Sequence, residues 1–150
     1  MTRAHVVLGA LSLGLVVRAL WSCADFTVTV DPTGGLPDTV VVDPSFQADI
    51  QPMFTKRCVQ GGCHTYASAQ AMLVLQQGYA YDSLVNRPAL LVNLLRVKPG
   101  DHQNSWLWRM IIADSTARFG LERMPFEAAP LTPNQILTIV HWIDEGARRN

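Results

Sequence analysis

Cys58 and Cys63, with His64 directly after the second thiol, are the residues best placed to do chemistry in this chain. Cys-x-x-Cys-His is the signature of covalent haem c attachment, and here four residues separate the cysteines instead of two. Each thiol can add to one haem vinyl group, and the neighbouring imidazole can reach the iron from one face. Gly61 and Gly62 allow the longer spacer to bulge, because glycine adopts positive φ values at little steric cost. The segment therefore predicts one covalently attached haem c, with His64 as the proximal iron ligand.

The opposite face of the iron is open to a second ligand, and Met124 is the preferred candidate. It lies in a loop ahead of the last helix, where Pro125 keeps the chain out of helical conformation. Met53 and Met110 fall on apolar helical stripes, the commoner position for Met. His102, in a polar turn, is the main competing ligand. A five-coordinate iron is a further alternative, and it would leave a site for haem-based catalysis.

Other side chains are candidates for orienting the haem and its first ligand. The imidazole Nδ1 of His64 needs an acceptor to fix its orientation, and we expect the Pro99 carbonyl to supply it. Ordinary packing explains each of the possible propionate donors at least as well. These donors are Arg96, Arg123, Trp106 and Trp108.

Two interpretations without haem also account for part of the pattern. A zinc site would use Cys58, Cys63, His64 and His102, since thiolate and imidazole suit zinc, but it gives the Met-Pro loop no role. A Cys58–Cys63 disulfide is permitted in an exported protein. It would close a small loop, stabilise little and leave His64 unexplained. In either case the protein would be a surface lipoprotein acting as a non-redox interaction module.

The first residues have the pattern of a bacterial export signal. Arg3 supplies positive charge, and residues 6–17 form an apolar run of a length suited to a signal peptide and too short to span a bilayer. Leu20-Trp21-Ser22-Cys23 resembles the lipobox of bacterial lipoproteins, in which the cysteine becomes the first residue and carries lipid. We expect residues 1–22 to be a lipoprotein signal peptide. An ordinary secretory cut near Ser22 or an uncleaved short anchor remains open.

Composition limits the partners and matches the number of cysteines to these roles. The formal net charge is +0 and charged residues are 16% of the chain, so no basic surplus indicates nucleic acid. The 150 residues suffice for one domain and a leader. Lipid on Cys23 and haem on Cys58 and Cys63 would use all three cysteines. We therefore expect an exported protein, periplasmic or at the cell surface, held at a membrane by its lipid.

A linker is expected between the lipid and the domain. Residues 23–44 are rich in Pro, Gly and Asp, and extended they would span roughly 65 Å. Residues 26–30 and 39–42 have strand composition and could pair as a hairpin, although a lone ribbon is marginal in water. We favour an extended tether that can fold against the domain.

Residues 45–150 form the expected domain, and hydrophobic periodicity predicts its helices. The first covers residues 45–58, is capped by Asp43 or Ser45, and should be kinked or broken by Pro52. Shorter helices are expected at residues 79–85 and 106–113. The last begins with a capping box at Thr132 and Gln135, with Pro133 in the first helical position.

Residues 46–147 resemble the small haem-binding domains of planctomycete-type cytochromes c, found in bacterial exported proteins and lipoproteins. The resemblance is carried by Phe46-Gln47-Ala48-Asp49-Ile50-Gln51-Pro52-Met53-Phe54, by the Cys58–His64 motif, by Tyr81-Asp82-Ser83-Leu84, by Arg96-Val97-Lys98-Pro99-Gly100-Asp101, by Arg123-Met124-Pro125 and by Trp142-Ile143-Asp144-Glu145-Gly146-Ala147. Ala69-Gln70-Ala71-Met72-Leu73 departs from the Gly-Gly-Leu that the group often has after its Cys-His.

This resemblance implies a fold and a role. The fold would be the all-α cytochrome c type, with the first and last helices crossing near Phe54 and Trp142. Haem would be covalently bound to Cys58 and Cys63, with His64 as the proximal and Met124 as the distal iron ligand. We expect such a protein to carry single electrons to redox partner proteins through Fe(III)/Fe(II), with catalysis at an open iron as the alternative.

Overall fold

The computed structural model describes residues 31–150, so the expected signal peptide, Cys23 and the start of the linker lie outside the described residues. The regular elements of the described part are helical, in agreement with the predicted all-α class, and its β-type pairs are isolated bridges. None of these helices is long and apolar enough to cross a membrane. The helices are α1 (46–59), α2 (Ala80–Leu84), α3 (Trp106–Ile111) and α4 (Pro133–Asp144), with 3-10 turns at Gln70–Met72 and Thr116–Arg118.

Helix α1 is wound unevenly. A π turn (Phe46–Ile50), an α turn (Gln51–Phe54) and a second π turn (Thr55–Val59) follow one another. Helical turns run through Pro52, so of the two predicted effects, a kink or a break, the break is wrong. Proline lacks an N–H and crowds the carbonyl four residues earlier. We attribute the continuity to the preceding π turn, whose wider winding already bonds the Gln51 N–H to the Phe46 carbonyl.

Ser45 caps α1, as one of the two predicted candidates. Its hydroxyl accepts from the Ala48 N–H at 3.2 Å, and the Asp49 carboxylate accepts from the Ser45 N–H at 2.8 Å. This reciprocal pair satisfies two backbone donors that the helix cannot bond internally. The entry of the chain into α1 is thereby fixed.

Phe46 joins α1 to α4. Its ring lies 5.3 Å from the Trp142 ring and 5.2 Å from Tyr81, measured between centroids. Phe54, which we expected opposite Trp142, lies 6.4 Å from Phe46. Trp142 is 1% exposed, so this cluster is the centre of the core. Other buried members are Ile50, Met53, Leu75, Leu84, Val97, Leu107, Ile111, Ile139 and Ile143.

Helix α4 begins as predicted. The Thr132 hydroxyl accepts from the Gln135 N–H, and the Gln135 side chain accepts from the Thr132 N–H, both at 3.1 Å. Pro133 is the first helical residue. After the helix, Gly146 has φ +99°, a conformation that glycine reaches without strain.

Residues 31–44 are docked on the domain. The Gln135 side chain donates to the Thr33 carbonyl, and the Val41 N–H donates to the Thr138 hydroxyl, each at 3.0 Å. A Cβ on Gly34 would lie 2.8 Å from the Arg57 guanidinium, so glycine permits this close approach. Residues 39–42 form no strand, and the other half of the expected hairpin lies outside the described residues.

Truncating Phe46 tests the core. Because the ring is 3% exposed, Phe46→Ala should lower the free energy of unfolding by about 3–5 kcal/mol. Leu137→Ala is the matched control, since Leu137 lies on α4 at 46% exposure, and it should change stability by less than about 0.5 kcal/mol. Urea denaturation followed by circular dichroism measures both. Equal effects of the two variants would contradict this assignment of the core.

The turn before α3 makes stability depend on pH. The Lys98 ammonium and the Asn104 amide, each 2.8 Å from the Asp101 carboxylate, lower the pKa of that carboxyl to about 2. A carboxyl with a lowered pKa stabilises the fold above its ordinary pKa of 3.8 and loses this contribution as pH falls towards about 2. Asp101→Asn should therefore flatten the loss of stability in that window, measured as the melting temperature against pH. An unchanged slope would contradict this role of Asp101.

Candidate functional site

The two thiols lie at the end of α1 and in the turn that follows. Cys58 is half-buried against the core and Cys63 is exposed, and within the described residues both are free. The Gly62 N–H donates to the Val59 carbonyl at 2.8 Å, and Gly62 has φ +79°. The predicted positive φ in the spacer is confirmed for Gly62 and not for Gly61. The four-residue spacer is thus taken up by one tight turn.

Burial controls the state of the Cys58 thiol. It raises the pKa of Cys58 to about 12, with Cys63 adding to the rise and Arg57 opposing it. A thiol with so high a pKa is protonated at neutral pH and is a weak nucleophile. In the folded chain, Cys58 is therefore the less reactive of the two cysteines.

His64 is held on its Nδ1 side. Nδ1 lies 3.2 Å from the Leu73 carbonyl oxygen, and because a carbonyl can only accept, Nδ1 carries the proton. The expectation that Pro99 supplies this acceptor is wrong, because the loop after His64 turns back on itself and the Leu75 N–H bonds the His64 carbonyl at 2.8 Å. Leu73 is a residue of the candidate site that sequence reasoning missed. In the neutral ring, Nε2 keeps its lone pair and can bind a metal.

Burial also lowers the pKa of His64, and the nearby charge of Arg96 adds to that effect. Hydrogen bonds with the backbone at Leu73 and Gln70 oppose it. The neutral, metal-binding form of the ring is therefore favoured.

The loop that presents Leu73 is strained. Ala69, Ala71 and Met72 all have positive φ, at +40°, +55° and +55°, which costs about 1–3 kcal/mol for each non-glycine residue. The Arg96 guanidinium donates to the carbonyls of Ala71 and Met72 at 3.2 and 3.0 Å. Arg96, predicted as a possible propionate donor, thus bonds backbone carbonyls of this loop.

The loop that carries Met124 is tied at both ends. The Met124 N–H donates to the Met110 carbonyl at 2.8 Å, and Met124 is partly buried against the core. Beyond it, the Arg57 guanidinium donates to the carbonyls of Ala129 and Pro130 at 2.7 and 2.8 Å. The residue before Cys58 therefore anchors the far end of the Met124 loop.

An open cavity of about 660 Å³ adjoins this loop, a size typical of small-molecule sites. Arg123, one of the predicted propionate donors, has a buried Nη1 without a hydrogen-bond partner among residues 31–150. The lining residues are Arg118, Glu122, Arg123, Pro125, Phe126, Glu127 and Ala128. Of these, the buried Arg118 is already bonded to backbone carbonyls.

The remaining candidates have other partners. His102 Nδ1 lies 2.7 Å from the Asp144 carboxylate, and its ring meets Trp108 edge-on at 5.0 Å. Trp106 is stacked on Phe119 at 5.9 Å. Met53 is 5% exposed, which confirms its predicted place in the core.

The chemical types of the candidate side chains are those that haem c would need. They are two free thiols, an imidazole with an available Nε2, a partly buried thioether and a guanidinium with one unpartnered nitrogen, Nη1 of Arg123. Among residues 31–150, no three or more His, Cys, Asp or Glu side chains are grouped to hold a metal ion. The alternative zinc site with His102 therefore has no geometric support.

Comparison with known proteins identifies no relative. No protein-family model matches the chain, and no curated protein or solved structure is significantly similar to it. The resemblance to planctomycete-type cytochromes c, with the fold and ligands it implies, stays a prediction.

The thiols should differ in reactivity in the haem-free chain. At neutral pH, iodoacetamide should label Cys63 well before Cys58, because Cys63 is exposed and the Cys58 pKa is raised. Peptide mass spectrometry over time measures the two rates. The same chain in guanidinium is the control and should label both at similar rates. Equal labelling in the folded chain would contradict the burial of Cys58.

Proposed function

We propose that this chain is an exported mono-haem c-type cytochrome that carries single electrons. The observation that supports this most is the state of His64, whose Nδ1 is bonded to Leu73 while Nε2 remains available. Free thiols at Cys58 and Cys63 precede this imidazole. When bound, haem c supplies a one-electron Fe(III)/Fe(II) couple.

The protein's part would be to hold and tune the cofactor. Cys58 and Cys63 would attach one edge of the ring, Cys58 from the side of the core. His64 would present Nε2 to the iron. The Leu73 carbonyl would fix the orientation of the imidazole ring and increase the basicity of the imidazole. No side chain needs to take part in bond chemistry during electron transfer.

Met124 is proposed as the distal ligand. Its backbone N–H is bonded to Met110, and Arg57 anchors the segment beyond it. Because the loop is already fixed at both ends, little further ordering of the loop would be needed for the thioether to bind iron. Methionine ligation raises the reduction potential of a haem. Arg123, with its unpartnered Nη1, is proposed as a donor to a propionate.

The proposed cellular setting rests on the sequence of the N-terminal residues. We propose that Cys23 is lipidated after removal of residues 1–22, which would place the protein in the periplasm or at the cell surface. Redox proteins would be its partners there. Electron transfer needs no further catalytic residue in this chain.

Intact mass tests the proposal. The full chain, exported in a bacterial host with a c-type cytochrome maturation system, should gain the mass of one haem and give a pyridine haemochrome spectrum of the c type. A Cys58→Ser/Cys63→Ser double variant is the control and should carry no covalent haem. A colourless wild-type protein without added mass would overturn the proposed function.

Replacing Met124 tests the distal ligand. Met124→Ala should abolish the weak red charge-transfer band of Met-ligated ferric haem and lower the reduction potential, because a ligand that favours Fe(II) is lost. Met72→Ala is the matched control, since Met72 is 71% exposed, and it should leave both unchanged. His102→Gln addresses the competing ligand. Absence of the band in the wild type, with a haem spectrum that changes in His102→Gln and not in Met124→Ala, would reverse the assignment.

A further inference from the structure

The Arg96 side chain spans two segments of chain near His64. Its Nη2 donates to the carbonyls of Ala71 and Met72 at 3.2 and 3.0 Å, and its Nη1 donates to the Ser83 carbonyl at 2.8 Å. One planar guanidinium therefore joins the loop after His64 to helix α2. The guanidinium presents several N–H donors in a fixed planar arrangement, which suits three carbonyl acceptors on two segments. A lysine ammonium is a compact point charge without this arrangement.

The bonded carbonyls belong to the residues just before Leu73. Ala71 and Met72 are both left-handed, a conformation that persists only where surrounding contacts enforce it. On the other side of Leu73, the Val74 N–H donates to the Ser83 hydroxyl at 3.0 Å. The chain is thus fixed immediately before and after the carbonyl that accepts from His64.

The backbone of Arg96 is fixed by two hydrogen bonds. Its N–H donates to the Arg87 carbonyl at 2.7 Å, and its carbonyl accepts from the Leu107 N–H at 2.9 Å, in the first turn of α3. A side chain mounted on a fixed backbone can position a neighbouring loop reliably. These contacts form a continuous path from α3 through Arg96 to Leu73 and His64.

We propose that Arg96 is the positioning residue for His64, acting through the Leu73 carbonyl to fix the ring orientation and keep the proton on Nδ1. That Arg96 thereby orients an iron ligand rests on the proposed function. That Arg96 keeps the proton of His64 on Nδ1 does not. Arg96 touches neither the ring nitrogen nor a cofactor in this role.

Arg96→Lys separates geometry from charge. It keeps the positive charge near His64 and removes the fork that holds Ala71 and Met72. Arg87→Lys is the matched control, because Arg87 is exposed and its Nε donates to the nearby Asp82 carbonyl at 2.9 Å. Intact mass first decides whether the purified chain carries haem.

In the haem-loaded protein, NMR measures the solvent exchange of the His64 Nδ1–H. Arg96→Lys should speed this exchange about tenfold, the effect of losing one net hydrogen bond, and should raise the reduction potential because the imidazole becomes less basic. Arg87→Lys should change neither quantity. Unchanged exchange in Arg96→Lys would overturn the positioning role.

If the chain carries no haem, the proposed function fails and the positioning role is still tested. Nitrogen-15 NMR above neutral pH should show the Nδ1–H tautomer of His64 in the wild type and a severalfold larger Nε2–H population in Arg96→Lys. If Arg96→Lys does not fold, Ser83→Ala removes the acceptor of the Val74 N–H and should shift exchange or tautomer in the same direction. No shift in the variant that folds would overturn the proposal.

Discussion

The packing of Phe46 on Trp142 is the contact on which the rest of the structure depends. It joins the start of α1 to the end of α4, 5.3 Å apart between ring centroids, and buries large aromatic surface at the centre of the core. The Gln47 N–H also donates to the Asn150 carbonyl at 2.9 Å. With its start fixed in this way, α1 carries Cys58 to a defined place at its other end, next to the segment that Arg57 anchors.

Two residues of the candidate site, Cys58 and His64, respond to burial in the same way. Burial raises the pKa of Cys58 and lowers that of His64, and in both residues it favours the uncharged form. The proposed distal ligand, Met124, is neutral as well. Uncharged, partly buried ligands would favour a raised reduction potential in the proposed haem. Two arginines of the site, Arg57 and Arg96, are bonded to backbone carbonyls.

Short-range sequence patterns predicted the helix ends but not the contacts between distant segments of the chain. The capping box at Thr132 and the cap at Ser45 follow from short-range hydrogen bonds, so a few adjacent residues suffice to predict them. The π turns of α1 could not be predicted from the sequence, because helices are recognised there by apolar residues that recur with the α-helical period of 3.6 residues. Left-handed alanines at 69 and 71 were unpredictable, since that conformation is usually signalled by glycine. Leu73 replaced Pro99 as the partner of His64 because that loop closes on itself.

The docking of residues 31–44 limits how far the domain could move from a bilayer. These residues are bonded to α4 and packed against Arg57, so they would not lengthen the connection between the domain and an acyl chain proposed on Cys23. The eight residues from 23 to 30 can reach at most roughly 27 Å, less than half of the maximum for the whole linker. A lipidated protein of this shape would exchange electrons close to the headgroups, and its partners would be other proteins at the same membrane face.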